Sequence, residues 1–264
     1  MIRAAAACLT LTAAAFAGAP AHAGEAPCWY ENGAIVVSAA AGPIADDFIL
    51  DLSSPHSQLH LTRAEGMGID ADDVTVPLRL AGERIAAVDF EVANLNAQTW
   101  GFPTNFSGVI GADVLRRYVV DIQFSPCRIA LWPRRAPRFK ADLILPLRWV
   151  AGAPALRAAA SDGTAGLAGW YALDTASAGV RIADRRASLS RTPAKGVDLA
   201  SRAVPPARLR ALSIGATMFE NLPAGLQADA PSGLAGSVGN AVWAKYRMRV
   251  DLRRGKLELA SPYP

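Results

Sequence analysis

The chain predicts an all-β fold, mainly strands with short helices, made of two lobes on one plan. Three observations predict it. First, the sequence repeats at half its length. Phe48-Ile49-Leu50-Asp51-Leu52-Ser53-Ser54 matches Tyr171-Ala172-Leu173-Asp174-Thr175-Ala176-Ser177, and Gly108-Val109-Ile110-Gly111 matches Gly236-Ser237-Val238-Gly239. Leu115, Tyr118 and Gln123 then match Trp243, Tyr246 and Asp251 in the same spacing. Second, apolar residues come in short alternating runs bounded by turn residues. Third, long helical periodicity is absent.

In the first half, Ile35-Val36-Val37 and Phe48-Ile49-Leu50 read as short strands. Val74 to Leu80, the turn Ala81-Gly82-Glu83 and Ile85 to Val92 read as a hairpin. Ala112 to Tyr118 reads as one or two helical turns. Val119 to Ile122 and Arg128 to Trp132 close the half with a second hairpin. The second half repeats each of these. Leu209 to Ile214 turns at Gly215-Ala216 into Met218 to Leu222, Ala241 to Tyr246 is the short helix, and Met248 to Leu252 with Leu257 to Leu259 is the closing hairpin. Pro133-Arg134-Arg135-Ala136-Pro137-Arg138-Phe139-Lys140 reads as the linker, because proline favours an extended connection and blocks a central strand. Arg191 to Arg208 reads as an exposed loop. The organisation expected is a signal peptide at 1–23, an N-terminal lobe at 24–132, a linker at 133–140 and a C-terminal lobe at 141–264.

Of the 264 residues 52% are hydrophobic and 19% charged, which excludes a disordered chain. The formal net charge is +4, and the Lys and Arg are spread along the chain apart from one cluster in the Pro-containing stretch at 133–140, which argues against a nucleic-acid partner. The four basic side chains of the linker read as solvated, with an anionic membrane surface as the alternative. Arg3, the apolar run Ala4 to Phe16 and Ala21-His22-Ala23 have the order of an export signal cut after Ala23, so a periplasmic or secreted protein is expected. The apolar run is too short to span a bilayer, and no integral membrane segment is expected in the mature chain. Cleavage leaves Cys28 and Cys127. An even count in an exported chain invites a disulfide, although spacing alone leaves two buried thiols open.

The repeated unit is an apolar strand ending in Asp, then small or hydroxyl residues, then a distant pair of apolar residues and Gly. On these segments the chain resembles the aspartic proteases, in particular bacterial retropepsin-like proteins with two fused lobes. The resemblance covers most of the mature chain. It implies two lobes related by a pseudo-twofold axis, with Asp51 and Asp174 meeting at their interface as a dyad that shares one proton. One carboxylate would activate a water while the other protonates the peptide carbonyl. It also implies supporting hydroxyls three residues after each Asp, at Ser54 and Ser177.

The family pattern is Asp-Thr/Ser-Gly, and both copies here depart from it. Thr175 is retained beside Ala176, but the first copy reads Asp51-Leu52-Ser53. Leu52 lacks the hydroxyl that locks the two loops across the interface, at a cost of about 1–3 kcal/mol if Thr175 is left unpaired. Ser53 puts a side chain where glycine lets the backbone approach the carboxylate. By position, the turn at Gly82 is the candidate flap, and Trp100, Phe102 and Phe106 either line the cleft or cover the core. No metal or cofactor is expected. The only histidines past the signal are His56 and His60, with no H-E-x-x-H pattern, and Gly233 to Gly239 lacks the Gly-Lys-Ser/Thr of a phosphate cradle. The expectation is an aspartic endopeptidase acting on a peptide or protein substrate as a monomer of two fused lobes. The alternative is a catalytically impaired relative acting as a peptide-binding or structural envelope protein.

Overall fold

A computed structural model describes residues 24–99, 102–163, 166–183, 207–228 and 230–262. The predicted signal at 1–23, Trp100 and residues 191–206 of the predicted loop lie outside the described residues. The first half contains β1 (Gly24–Pro27), β2 (Trp29–Glu31), β3 (Ala34–Ala41), β4 (Ile44–Leu50), β5 (Gln58–His60), α1 (Leu61–Gly66), β6 (Asp73–Leu80) and β7 (Glu83–Ala93). It continues through α2 (Asn96–Thr99), β8 (Gly108–Ile110), α3 (Ala112–Leu115), β9 (Val119–Phe124) and β10 (Cys127–Trp132). The second half contains β11 (Leu143–Pro146), β12 (Arg148–Val150), β13 (Ala153–Ser161), β14 (Gly166–Leu173), β15 (Val180–Ala183), β16 (Ala207–Ile214) and β17 (Thr217–Gln227). It ends with β18 (Leu234–Val238), α4 (Asn240–Trp243), β19 (Arg247–Asp251) and β20 (Lys256–Ala260). Arg208, read as the end of a loop, belongs to β16, because the hairpin begins ahead of Leu209.

The second half repeats the first strand for strand. Strands β3-β4-β8-β5-β7-β6 close into a six-stranded barrel through β3–β6 pairing, with β2 added at an edge. Strands β13-β14-β18-β15-β17-β16 close in the same order through β13–β16, with β12 at the edge. The remaining six strands form one sheet, in the order β1-β10-β9-β19-β20-β11, that takes three strands from each half. That order reads the same from both ends under the repeat. The closing hairpins of the two halves therefore join each other through β9 and β19, with Val120 opposite Val250 and Ile122 opposite Met248.

A single core cluster runs through both barrels and the inner face of this sheet. It includes Leu50, Leu52, Ile110, Val120 and Ile122 from the first half and Leu173, Val238, Trp243, Met248 and Val250 from the second. The structure joins Cys28 to Cys127, which lie 99 residues apart, and so ties the start of β2 to the six-stranded sheet. Replacing both cysteines by Ser is expected to cost about 2–4 kcal/mol, because the bridge restricts a long loop of the unfolded chain. Urea unfolding of the double variant against the oxidised parent checks it.

Candidate active site

Asp51 and Asp174 each follow directly on a barrel strand, β4 and β14. Each of these strands pairs in parallel with the strand carrying the second motif, β8 or β18. The pairing continues into the Asp itself. The Asp51 amide donates to the Ile110 carbonyl at 2.9 Å, and the Asp174 amide donates to the Val238 carbonyl at 3.0 Å. The repeated glycines then pass behind the Asp loops. A Cβ at Gly111 would lie 2.7 Å from the His56 carbonyl oxygen, and one at Gly239 only 2.3 Å from that of Gly179. The next amides bond the same loops, Ala112 to the Ser54 carbonyl and Asn240 to the Ser177 carbonyl, both at 2.8 Å. Only glycine permits this approach, which is why the sequence repeats the Gly along with the Asp.

Both carboxylates are nearly buried, Asp51 at 2% exposure and Asp174 at 4%. Buried carboxylates require donors, and the two halves supply them differently. Asp174 accepts from the Ala176 amide (2.9 Å) on Oδ1, and from the Ser177 hydroxyl (2.6 Å) and the Ser237 hydroxyl (3.1 Å) on Oδ2. Asp51 Oδ1 accepts from the Ser53 amide (2.8 Å) and the Ser53 hydroxyl (2.6 Å). The Ser177 hydroxyl thus bonds its carboxylate, whereas the Ser54 hydroxyl is directed elsewhere. The Ser54 hydroxyl donates to the His56 carbonyl at 2.7 Å, and Ser53 donates in its place. The side chain expected to crowd Asp51 binds it instead.

The loops are locked across the interface in spite of Leu52. The Thr175 hydroxyl donates to the Leu50 carbonyl (2.8 Å) and accepts from the Leu52 amide (3.0 Å), so Thr175 is fully paired and the expected penalty does not arise. The Leu52 side chain turns into the core and is fully buried. Further ties cross the same seam. The Ile35 amide donates to the Thr175 carbonyl at 3.1 Å. The buried Asn240 amide group donates to the carbonyls of Gly33 (2.7 Å) and Thr175 (2.9 Å), one in each half.

Two hairpin turns complete the lock. The Asn32-Gly33 turn of the first half sits so close to Ala178 that a Cβ at Gly33 would lie 2.3 Å from the Ala178 nitrogen. The Ala151-Gly152 turn of the second half packs in the same way on Pro55. Each half thereby positions the other's Asp loop. Thr175→Val strands the Leu50 carbonyl and the Leu52 amide in a buried seam, and is expected to cost about 1–3 kcal/mol in a denaturation experiment.

The flap expectation fails. The turn at Ala81-Gly82 is packed against β1: Ala81 is 4% exposed, and a Cβ added at Gly24 would lie 2.2 Å from the Ala81 carbonyl oxygen. The equivalent turn at Gly215 meets Leu145 of β11. Both hairpins thus cover the two edges of the six-stranded sheet, and neither is free to close over a substrate. Phe102 stacks edge-on against Phe106 at 4.9 Å, half-buried in a cluster that includes Ala176 from the other half. His60 is engaged with Asn96 and with the Thr62 amide. Among the described residues no group of three or more His, Cys, Asp or Glu is arranged to hold a metal.

Sequence reasoning missed Ser237, Asn240 and Ser57. Ser57 accepts from the Gly111 amide at 3.0 Å and donates to Asp113 at 2.8 Å. Ser237 and Asn240 occupy positions where the first half has Val109 and Ala112. A polar residue at an otherwise apolar position of a repeat was the available signal.

Two closed barrels, an Asp loop at the end of a parallel pair in each, and a sheet shared between them define the two-lobed acid-protease fold. The crystal structure of the aspartic proteinase from Irpex lacteus shares it, with a TM-score of 0.53 over 91% of this chain and 97% of that one, at 13% identity. At that identity the likeness is one of fold. Neither a protein-family model nor a curated protein sequence matches the chain.

Proposed function

We propose that the chain is an aspartic peptidase that hydrolyses peptide bonds in an extended segment held between the lobes. The observation that carries this is the pair of equivalent, buried aspartates, each at the end of a barrel strand and each on a loop fixed by the opposite half. In this reading Asp51 and Asp174 share one proton. The ionised partner takes a proton from the attacking water, and the protonated partner donates to the carbonyl oxygen as the tetrahedral intermediate forms. Ser53, Ser177 and Ser237 orient the carboxylates and do not touch substrate.

Residues 1–23 act as an export signal cut near Ala23, and the Cys28–Cys127 bridge suits an oxidising compartment. The lobes 24–132 and 141–264 function together as one monomer. Among the described residues no helix is long and apolar enough to cross a membrane.

A second reading is supported by Leu52. With no hydroxyl there, only one half of the cross-interface lock is made by a side chain, and a cleft that binds peptide without cutting it is the outcome if the carboxylates are held out of register. Incubation with a denatured protein in mildly acidic buffer separates the two. New peptides, insensitive to chelator, support the peptidase; saturable binding of intact polypeptide with no cleavage supports the binding module.

A further inference from the structure

The outer face of the six-stranded sheet carries basic side chains that the proposed chemistry does not use. The linker crosses this face as a fixed strap. Arg249 Nη1 donates to the Pro137 carbonyl at 2.5 Å, and Arg253 Nη2 donates to the Pro133 carbonyl at 3.0 Å. Phe139 lies against the guanidinium groups of Arg247 and Arg249, at 5.6 and 4.8 Å. The surface opens beside the strap into two shallow clefts of about 380 and 410 Å³. Arg135 and Lys256 line the first; Arg138, Lys140 and Arg247 line the second.

These five are exposed, and none is in an ion pair among the described residues. The acids of the same face are largely engaged: Glu25 with Arg128, Asp121 with Arg249, and Asp251 with Arg254. Set against Glu258 and Asp142, these cations leave an excess of positive charge on this face.

We propose that this face docks on an anionic phospholipid membrane. The cations are spread over a broad sheet rather than converging on one point. Six strands at about 4.8 Å each make a surface about 25 Å wide, so the complementary partner is a charged plane, not a small anion. Ile144, 55% exposed, lies beside Glu258 on the edge strand of the same sheet and adds an apolar contact. The inner face carries Val120, Ile122, Met248 and Val250 into the core that holds β4 and β14. Docking therefore leaves Asp51 and Asp174 on the side away from the lipid. The inference is independent of whether those aspartates cut peptides.

The test is sedimentation of the full chain with phosphatidylcholine vesicles, with and without about 30 mol% phosphatidylglycerol. The N-terminal run and Arg3 are common to the parent and to both variants, so the change in the ratio of the two affinities between them is the readout. The expected ratio is about tenfold or more, and it disappears near 1 M salt, where the screening length is about 3 Å. Arg135→Glu/Arg138→Glu should reduce the ratio by about tenfold or more. The charge-matched control Arg79→Glu/Arg84→Glu, exposed on β6 and β7, should leave it within about twofold. A ratio near one, an equal loss in both variants, or equally tight binding of soluble polyphosphate would overturn the proposal.

Discussion

Asp51→Asn and Asp174→Asn are each expected to lower the rate of peptide hydrolysis by about a thousandfold or more, equivalent to about 4 kcal/mol of transition-state stabilisation. The surroundings make the substitutions clean. At position 174 the Asn oxygen can keep the Ala176 amide, while its NH₂ faces the Ser177 and Ser237 hydroxyls, which accept as readily as they donate. At position 51 one oxygen already receives both Ser53 donors, and an amide oxygen can do the same. The lock through Thr175 uses main-chain partners and is untouched by either change. Both variants should therefore unfold near the parental midpoint, so that lost activity reports lost acid–base chemistry. The binding-module reading predicts no parental hydrolysis and unaltered peptide affinity in both variants. Full hydrolysis by either variant would exclude Asp51 and Asp174 as the reacting pair.

The duplication made much of the fold legible. A strand ending in Asp and a later apolar-apolar-Gly segment recur because the strands pair in parallel and the glycine must pass behind the Asp loop. Neither feature stands without the other, and the sequence preserves both. Hairpins were legible for a local reason, since turn chemistry and alternation are local properties. What the turns meet is not local. Ala81-Gly82 announces a reversal of the chain, but nothing near it announces Gly24 on the edge of a distant sheet. The flap expectation failed on that account.

Ser53 and Ser54 show a finer limit. Spacing cannot choose between adjacent hydroxyls. The choice is made where the Ser54 amide turns back to the Asp51 carbonyl and the Ser54 hydroxyl is drawn to His56, leaving Ser53 beside the carboxylate. The penalty expected at Leu52 is absent for a related reason. Thr175 satisfies both its donor and its acceptor on the main chain of the other half, so its hydroxyl needs no side-chain partner.

Arg249→Ala is expected to destabilise the protein by about 2–3 kcal/mol, because it breaks a part-buried ion pair and leaves the Asp121 carboxylate, 24% exposed, without its guanidinium. The pair has an uncommon position. Asp121 and Arg249 stand at equivalent places in the repeat, the same distance past Gly111 and Gly239, and they face each other across β9 and β19. They therefore straddle the pseudo-twofold axis. In a symmetric dimer of one lobe, whichever residue held this place would face its own copy, Asp on Asp or Arg on Arg. The fused chain resolves that repulsion with opposite charges.

The geometry is bidentate, with both nitrogen–oxygen distances at 2.6 Å, and Trp132 donates a further bond to Asp121 at 3.0 Å. Arg249 is 5% exposed and also holds the linker through Pro137. Removing it frees the strap and leaves the Asp121 carboxylate at the seam. Asp121→Arg, which places two guanidiniums face to face on the axis, should cost at least as much. The exchange Asp121→Arg/Arg249→Asp should recover part of that loss, since the pair is restored even though the linker bond is not. Urea unfolding of the three variants measures these differences. A cost below about 1 kcal/mol for Arg249→Ala would mean that water replaces the guanidinium at the seam, and that apolar packing of Val120, Ile122, Met248 and Val250 joins the halves unaided.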